Sequence, residues 1–158
     1  MSQQKPGESR IIKSLQQQLA NSFLLYTNYK RYHWESYGPL FRDLHLLFDE
    51  HATAVLATID ELGERVRILG GNPIADPREF VEHGTVKISV AGKSMREMVE
   101  EATSNESLVV TEIREAVDIA AEAHDPGTAD LFTRVVQIHE KHEWFLREIL
   151  KSNDGLSK

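Results

Sequence analysis

The sequence contains no cysteine. Disulfide scaffolds, zinc ribbons, iron–sulfur clusters and thiol nucleophiles are therefore excluded, and any metal must be held by His, Asp or Glu. No apolar run approaches the ~18 residues needed to cross a membrane. The polar opening MSQQKPGESR carries no signal-peptide core, so a soluble, cytoplasmic protein with no membrane partner is expected. Basic charge is also in deficit: 18 Lys and Arg against 25 Asp and Glu give a formal net charge of −7. Such a surface repels nucleic acid and attracts cations. What remains is ordinary globular composition, 41% apolar and 27% charged over 158 residues, at the size of one domain.

The whole chain, residues 1–158, reads as one domain with a flexible N-terminal tail over 1–10 and a short C-terminal tail over 152–158. Between residues 11 and 35 apolar groups fall at Ile11, Ile12, Leu15, Leu19, Phe23, Tyr26 and Tyr29, a helical spacing that Gly38-Pro39 ends. A second helix is expected from Leu40 to Leu69, closed by Gly70-Gly71-Asn72-Pro73. Residues 72–93 form a long connection with a short helix at Pro77–Glu82. Within it, Val86–Val90 alternates like a strand but has no second strand to pair with. Ser94 and Glu97 make a capping box for a third long helix reaching about Ala123. After His124-Asp125-Pro126-Gly127, a last helix runs to about Lys151. Four long helices with one crossover between the second and third describe an all-α, ferritin-like four-helix bundle.

Di-iron sites built inside one such bundle use Glu-x-x-His pairs. None of the seven histidines has an acidic residue three positions before it, so that arrangement is not expected. The second helix instead offers His45 with Asp49 and Asp60 with Glu64, each an i, i+4 pair on one face. His45 and Glu64 lie about 28 Å apart along one helix axis, too far to share an ion. Two copies of the helix packed antiparallel about a two-fold near Ala54 and Val55 bring 45 opposite 64 and 49 opposite 60 together. That would create two equivalent sites per dimer. His33 can add a second imidazole to His45. Spacing alone leaves two readings open, a metal site of this kind or a solvated acidic helix face.

The segment His33-Trp34-Glu35-Ser36-Tyr37-Gly38-Pro39-Leu40-Phe41-Arg42-Asp43-Leu44-His45-Leu46-Leu47-Phe48-Asp49 resembles the signature of the Dps family, mini-ferritins named as DNA-binding proteins from starved cells. Asp60-Glu61-Leu62-Gly63-Glu64-Arg65 and Lys141-His142-Glu143-Trp144-Phe145 extend the resemblance along the domain. It implies a homo-dodecameric shell assembled from two-fold dimers. Its ferroxidase centres would take His33 and His45 from one subunit and Asp60 and Glu64 from the next, with Asp49 as a further ligand or hydrogen-bonding carboxylate. Iron would be oxidised there from Fe2+ to Fe3+, with hydrogen peroxide preferred over oxygen, and stored as ferric oxide-hydroxide, protecting against oxidative damage. The same ligands also suit Zn2+.

By the same resemblance, Asp130, Asp125 and Glu122 are candidates to line an iron-admitting pore, although Asp125 equally reads as a helix cap. Leu46 stands where the family often has an acidic residue, with Glu50 a weak substitute for mineral nucleation. Trp34 reads as interface packing, the alternative being a radical trap. His139 and His142 read as structural or surface residues, or else an accessory metal site. His51, His83 and His124 are expected to face solvent or cap helices. Lys5 and Arg10 at one end, and Lys151 and Lys158 at the other, make a poor basic tail. DNA binding is accordingly expected to be weak or absent, against the alternative of a nucleoid-binding stress protein with secondary ferroxidase activity.

Overall fold

The computed structural model describes residues 6–152. Five helices follow in order: α1 Pro6–Glu35, α2 Phe41–Ile68, α3 Pro77–His83, α4 Met95–Glu122 and α5 Pro126–Ile149. No strand occurs among the described residues. α1 packs chiefly on α2 and α4 on α5, and the two pairs close on one another as a four-helix bundle.

Each long helix buries one stripe. On α2 it is Leu44, Phe48, Ala52, Val55, Leu62 and Val66, with spacings of three, four or their sum. Tyr29 and Tyr32 of α1 and Phe132 and Leu146 of α5 fill the space opposite. The stripes carry polar residues at mid-height, where the bundle holds its buried charge.

The helix ends follow local chemistry. Beyond α2, the Gly71 N–H donates to the Val66 carbonyl at 2.9 Å and the Gly70 N–H to Arg67 at 2.9 Å. Gly70 has φ +82°, the left-handed turn this closure needs. The α4 end repeats the pattern, but with His124 in the left-handed position at φ 56°. There the Asp125 N–H donates to Ala120 at 2.9 Å. Asp125 then caps α5 immediately, accepting from the Thr128 N–H at 3.0 Å. The capping box of Ser94 and Glu97 forms at the start of α4, and Asp76 and Glu79 make another at α3.

The first helix begins earlier than expected. Residues 6–10, read from sequence as part of a mobile tail, are helical. Pro6 is the reason, since its fixed φ suits the first helical turn, where no N–H is needed. The remainder of both tail assignments, residues 1–5 and 153–158, lies outside the described residues.

The crossover is held by asparagine side chains rather than by a neighbouring strand. Asn28 donates to the Lys87 carbonyl at 2.8 Å and accepts from the Ser89 N–H at 2.9 Å. Asn105 accepts from the Lys87 N–H at 2.8 Å and donates to its carbonyl at 3.0 Å. Asn21 accepts from the Thr85 N–H at 2.8 Å. All three asparagines are buried, so they satisfy an extended backbone from the helix side. Replacing Asn105 with Ala strips the Lys87 N–H of its partner and leaves its carbonyl with Asn28 alone. A cost of about 1–3 kcal/mol is expected. Urea titration with hydrogen exchange at Lys87 checks it, and unchanged exchange there would contradict the tether.

Candidate metal sites

His33 near the end of α1 and His45 on the first turns of α2 face each other across the Gly38-Pro39 turn. Their rings stack at 3.7 Å between centroids and 16° between planes. His33 Nδ1 lies 2.6 Å from the His45 carbonyl, and His45 Nδ1 lies 2.7 Å from the His33 carbonyl. A carbonyl only accepts, so both Nδ1 atoms carry the proton. Both Nε2 atoms are left with free lone pairs, the state a metal-binding imidazole requires. Two adjacent backbone carbonyls thus fix tautomer and orientation before any ion arrives.

Asp49 stands one turn beyond His45. Lys30 Nζ sits 2.7 Å from its Oδ1 and holds the carboxyl below the ordinary aspartate range, with His33 and His45 adding smaller contributions. Lys30 also lies over the Trp34 ring at 5.7 Å, and that ring is 72% exposed. Asp60 and Glu64 are exposed farther along α2, beside a groove of about 290 Å³ that also borders Phe23, Pro73 and Ile74. The single chain brings His33, His45 and Asp49 together and leaves Asp60 and Glu64 about 16 Å or more away along α2.

The carboxylates considered for a pore divide. Asp130 is exposed and pairs with Arg134 at 3.2 Å, and Glu122 pairs with Arg10 at 3.3 Å. Asp125 is turned inward, bound by Arg65 of α2 at 2.6 Å as well as by Thr128. Burial raises its pKa, but these hydrogen bonds and the guanidinium outweigh that and hold it low. Asp125 is accordingly a cap and inter-helix tie, not a pore-lining group.

A second cluster gathers around His139 and His142. Glu106 of α4 is fully buried, and both His139 and His142 of α5 direct Nδ1 at it, at 2.6 and 3.1 Å. The Tyr29 hydroxyl donates to the same carboxylate. Burial alone would raise the Glu106 pKa, but His139 and His142 reverse the sign and hold it well below the usual range. Tyr29 moves the other way, raised by burial and by the charge of Glu106. His139 and His142 are thus neither surface residues nor without an acidic partner, because the partner comes from a different helix. His51 also departs from expectation. It is buried, its ring stacks on His142 at 3.8 Å, and burial with His142 pushes its pKa down to about 3. His83 and His124 are exposed, as expected.

The ferritin-like domain family matches residues 12–154 of this chain. A DNA protection during starvation protein from Brevibacillus brevis is 37% identical, the alignment covering 87% of this chain and 92% of that one. The chain belongs to the Dps family. Among solved structures, Dps from Thermosynechococcus elongatus is 48% identical with a TM-score of 0.93, over 96% of this chain and 97% of that one. A Dps protein from Vibrio cholerae O1, described as a member of a broad superfamily of ferritin-like diiron-carboxylate proteins, is 28% identical with a TM-score of 0.87, covering 92% and 91%. Membership in the Dps family agrees with the bundle, with the short helix in its crossover, and with a role in iron storage. No helix among the described residues is long and apolar enough to cross a membrane.

Proposed function

We propose that this Dps chain is a cytoplasmic ferroxidase that oxidises Fe2+ at centres shared between subunits and stores the ferric product inside a dodecameric shell. The observation that carries the reading is the reciprocal His33–His45 latch, which engages both Nδ1 atoms and leaves both Nε2 atoms outside it on half-buried residues. Asp60 and Glu64 complete the donor set from a partner chain. Their register on α2 is complementary to His45 and Asp49 about a two-fold near Val55, and both carboxylates stand free at the surface. Exposed apolar side chains at Trp34, Leu56 and Trp144 give the subunit surfaces something to bury on assembly.

Imidazole and carboxylate together suit ferrous iron, and the carboxylates favour the ferric product. Hydrogen peroxide is the preferred oxidant in this reading. Two ferrous ions each give up one electron, the peroxide O–O bond breaks, and two hydroxide ions form without release of a radical. Asp49, charged because Lys30 holds it so, lies beside the imidazoles as a further ligand or hydrogen-bond acceptor. Zn2+ would fit the same donors but has no oxidation to undergo. Asp130 and Glu122 are the carboxylates placed to draw cations toward the shell. DNA binding is weak or absent, because a net charge of −7 per chain opposes it.

The test is a native mass measurement followed by ferrous titration with peroxide, on the wild type and on His33→Ala/His45→Ala. The variant is expected to assemble yet oxidise iron about 10- to 100-fold more slowly. Unchanged kinetics would reject this assignment of residues.

A further inference from the structure

The inference concerns the core of the bundle, away from the His33–His45 latch. Glu106, His139 and His142 offer one carboxylate oxygen and two imidazole nitrogens, all within 4.8 Å of one another. The two imidazoles meet at 78°, so their ring planes can converge on one point between them and the carboxylate. Glu106 stays ionised, so each Nδ1 is the donor toward it, and those two N–H bonds occupy the space an ion would take.

A second observation points the same way. His51 Nδ1 is buried with no hydrogen-bond partner, although its ring lies flat against His142. A cavity of about 220 Å³ reaches both rings, bordered by Glu50, Ala54, Lys141 and Phe145. The cluster is thus reachable from outside, with a spare imidazole at its threshold. His51 lies outside the group whose ligand atoms come within 4.8 Å of one another, so it is a waypoint rather than part of the final ligand set.

We infer that Glu106, His139 and His142 form an intrachain site for a single divalent transition ion, reached through the cavity at His51. The ion takes the place of the two Nδ1 protons, each of which passes to the Nε2 of its own ring so that both imidazoles stay neutral, and the carboxylate balances half the ion's charge. One carboxylate with two imidazoles is a recurrent set for borderline ions such as Fe2+, Co2+ and Zn2+. With no bridging carboxylate, it holds one ion and not a coupled pair.

Co2+ is the probe, because its visible absorption reports both binding and geometry. The seam is first stripped in the full assembly with His33→Ala, His45→Ala, Asp60→Asn and Glu64→Gln, which separates this test from the ferroxidase reading. The stripped assembly is expected to bind about one Co2+ per chain with the intense absorption of a four-coordinate imidazole site. Adding Glu106→Gln or His142→Gln is expected to remove that ion. Cobalt binding no greater than in those added variants would overturn the inference, leaving a hydrogen-bonded core only. If the added variants fail to fold, anomalous scattering from cobalt-soaked crystals of the stripped assembly decides. A peak between Glu106, His139 and His142 supports the site, and its absence there overturns it.

Discussion

Two variants that are each strongly slowed are expected to recover activity when refolded together. One lacks the seam imidazoles, His33→Ala with His45→Ala. The other lacks the seam carboxylates, Asp60→Asn with Glu64→Gln. In a dimer containing one of each, one of the two sites draws its imidazoles and carboxylates from intact positions, and the other site has neither. Random pairing makes half of the dimers mixed, so about a quarter of all sites should return. Rapid-mixing absorbance of ferrous oxidation by peroxide reads this directly, with each variant assembled alone as the control. Recovery of nothing would show that the ligand set is not divided between chains, because a site built within one chain cannot be repaired by mixing. The outcome depends on the register along α2 and requires no structure of the assembly.

The largest stability effect is expected at Glu106. Its carboxylate accepts from Tyr29, His139 and His142 in the buried core of the bundle. Glu106→Ala strands all three donors and opens a void among Tyr29, His51 and His142. Removing one partner of a buried charged network costs about 3–5 kcal/mol. Thermal unfolding at fixed protein concentration, a condition any oligomer requires, should show a melting point lower by roughly 10 °C. Glu106→Gln keeps the shape and one acceptor oxygen and should lose less. If the alanine variant melts with the wild type, the cluster contributes little to holding α1, α4 and α5 together.

The two metal-site candidates differ in how much of each was legible in the sequence. The seam residues lie close together in the chain, at i, i+4 spacings on one helix and at the end of the helix before it. Such spacing survives in one dimension. What spacing could not show was the latch, since each imidazole is fixed by the other's backbone carbonyl. The Glu106 cluster is the opposite case. Its members come from α1, α4 and α5, with Glu106 more than thirty positions from either histidine, and the local His139/His142 pair does not disclose its acidic partner. A signal was nonetheless present. Glu106 occupies a place on the α4 stripe, between Ala102 and Val109, where burial demands an apolar residue. His139 does the same on α5, four beyond Val135. A charge on a core stripe needs a partner, and searching for Glu-x-x-His within single helices looked for it in the wrong direction.

Helix boundaries were legible wherever a cap residue made the decision. Ser94 with Glu97 started α4 at the expected residue, and Gly70 with Gly71 ended α2. The start of α1 is not legible in the sequence, because Pro6 stands among polar residues outside the apolar spacing that marks the rest of the helix. The apolar alternation over Val86–Val90 does not carry into the structure: Val86 and Ser89 turn inward, Lys87, Ile88 and Val90 turn outward, and the hydrogen bonds come from asparagines rather than a neighbouring strand.

That last arrangement has a practical consequence. Around Ile88 and Val90, Asn28 and Asn105 grip the crossover through main-chain atoms, so the amino acids pointing outward at those two positions contribute little to keeping it in place. A foreign epitope or an affinity handle written into those outward positions should be displayed on every copy of the chain without rewriting the scaffold beneath it.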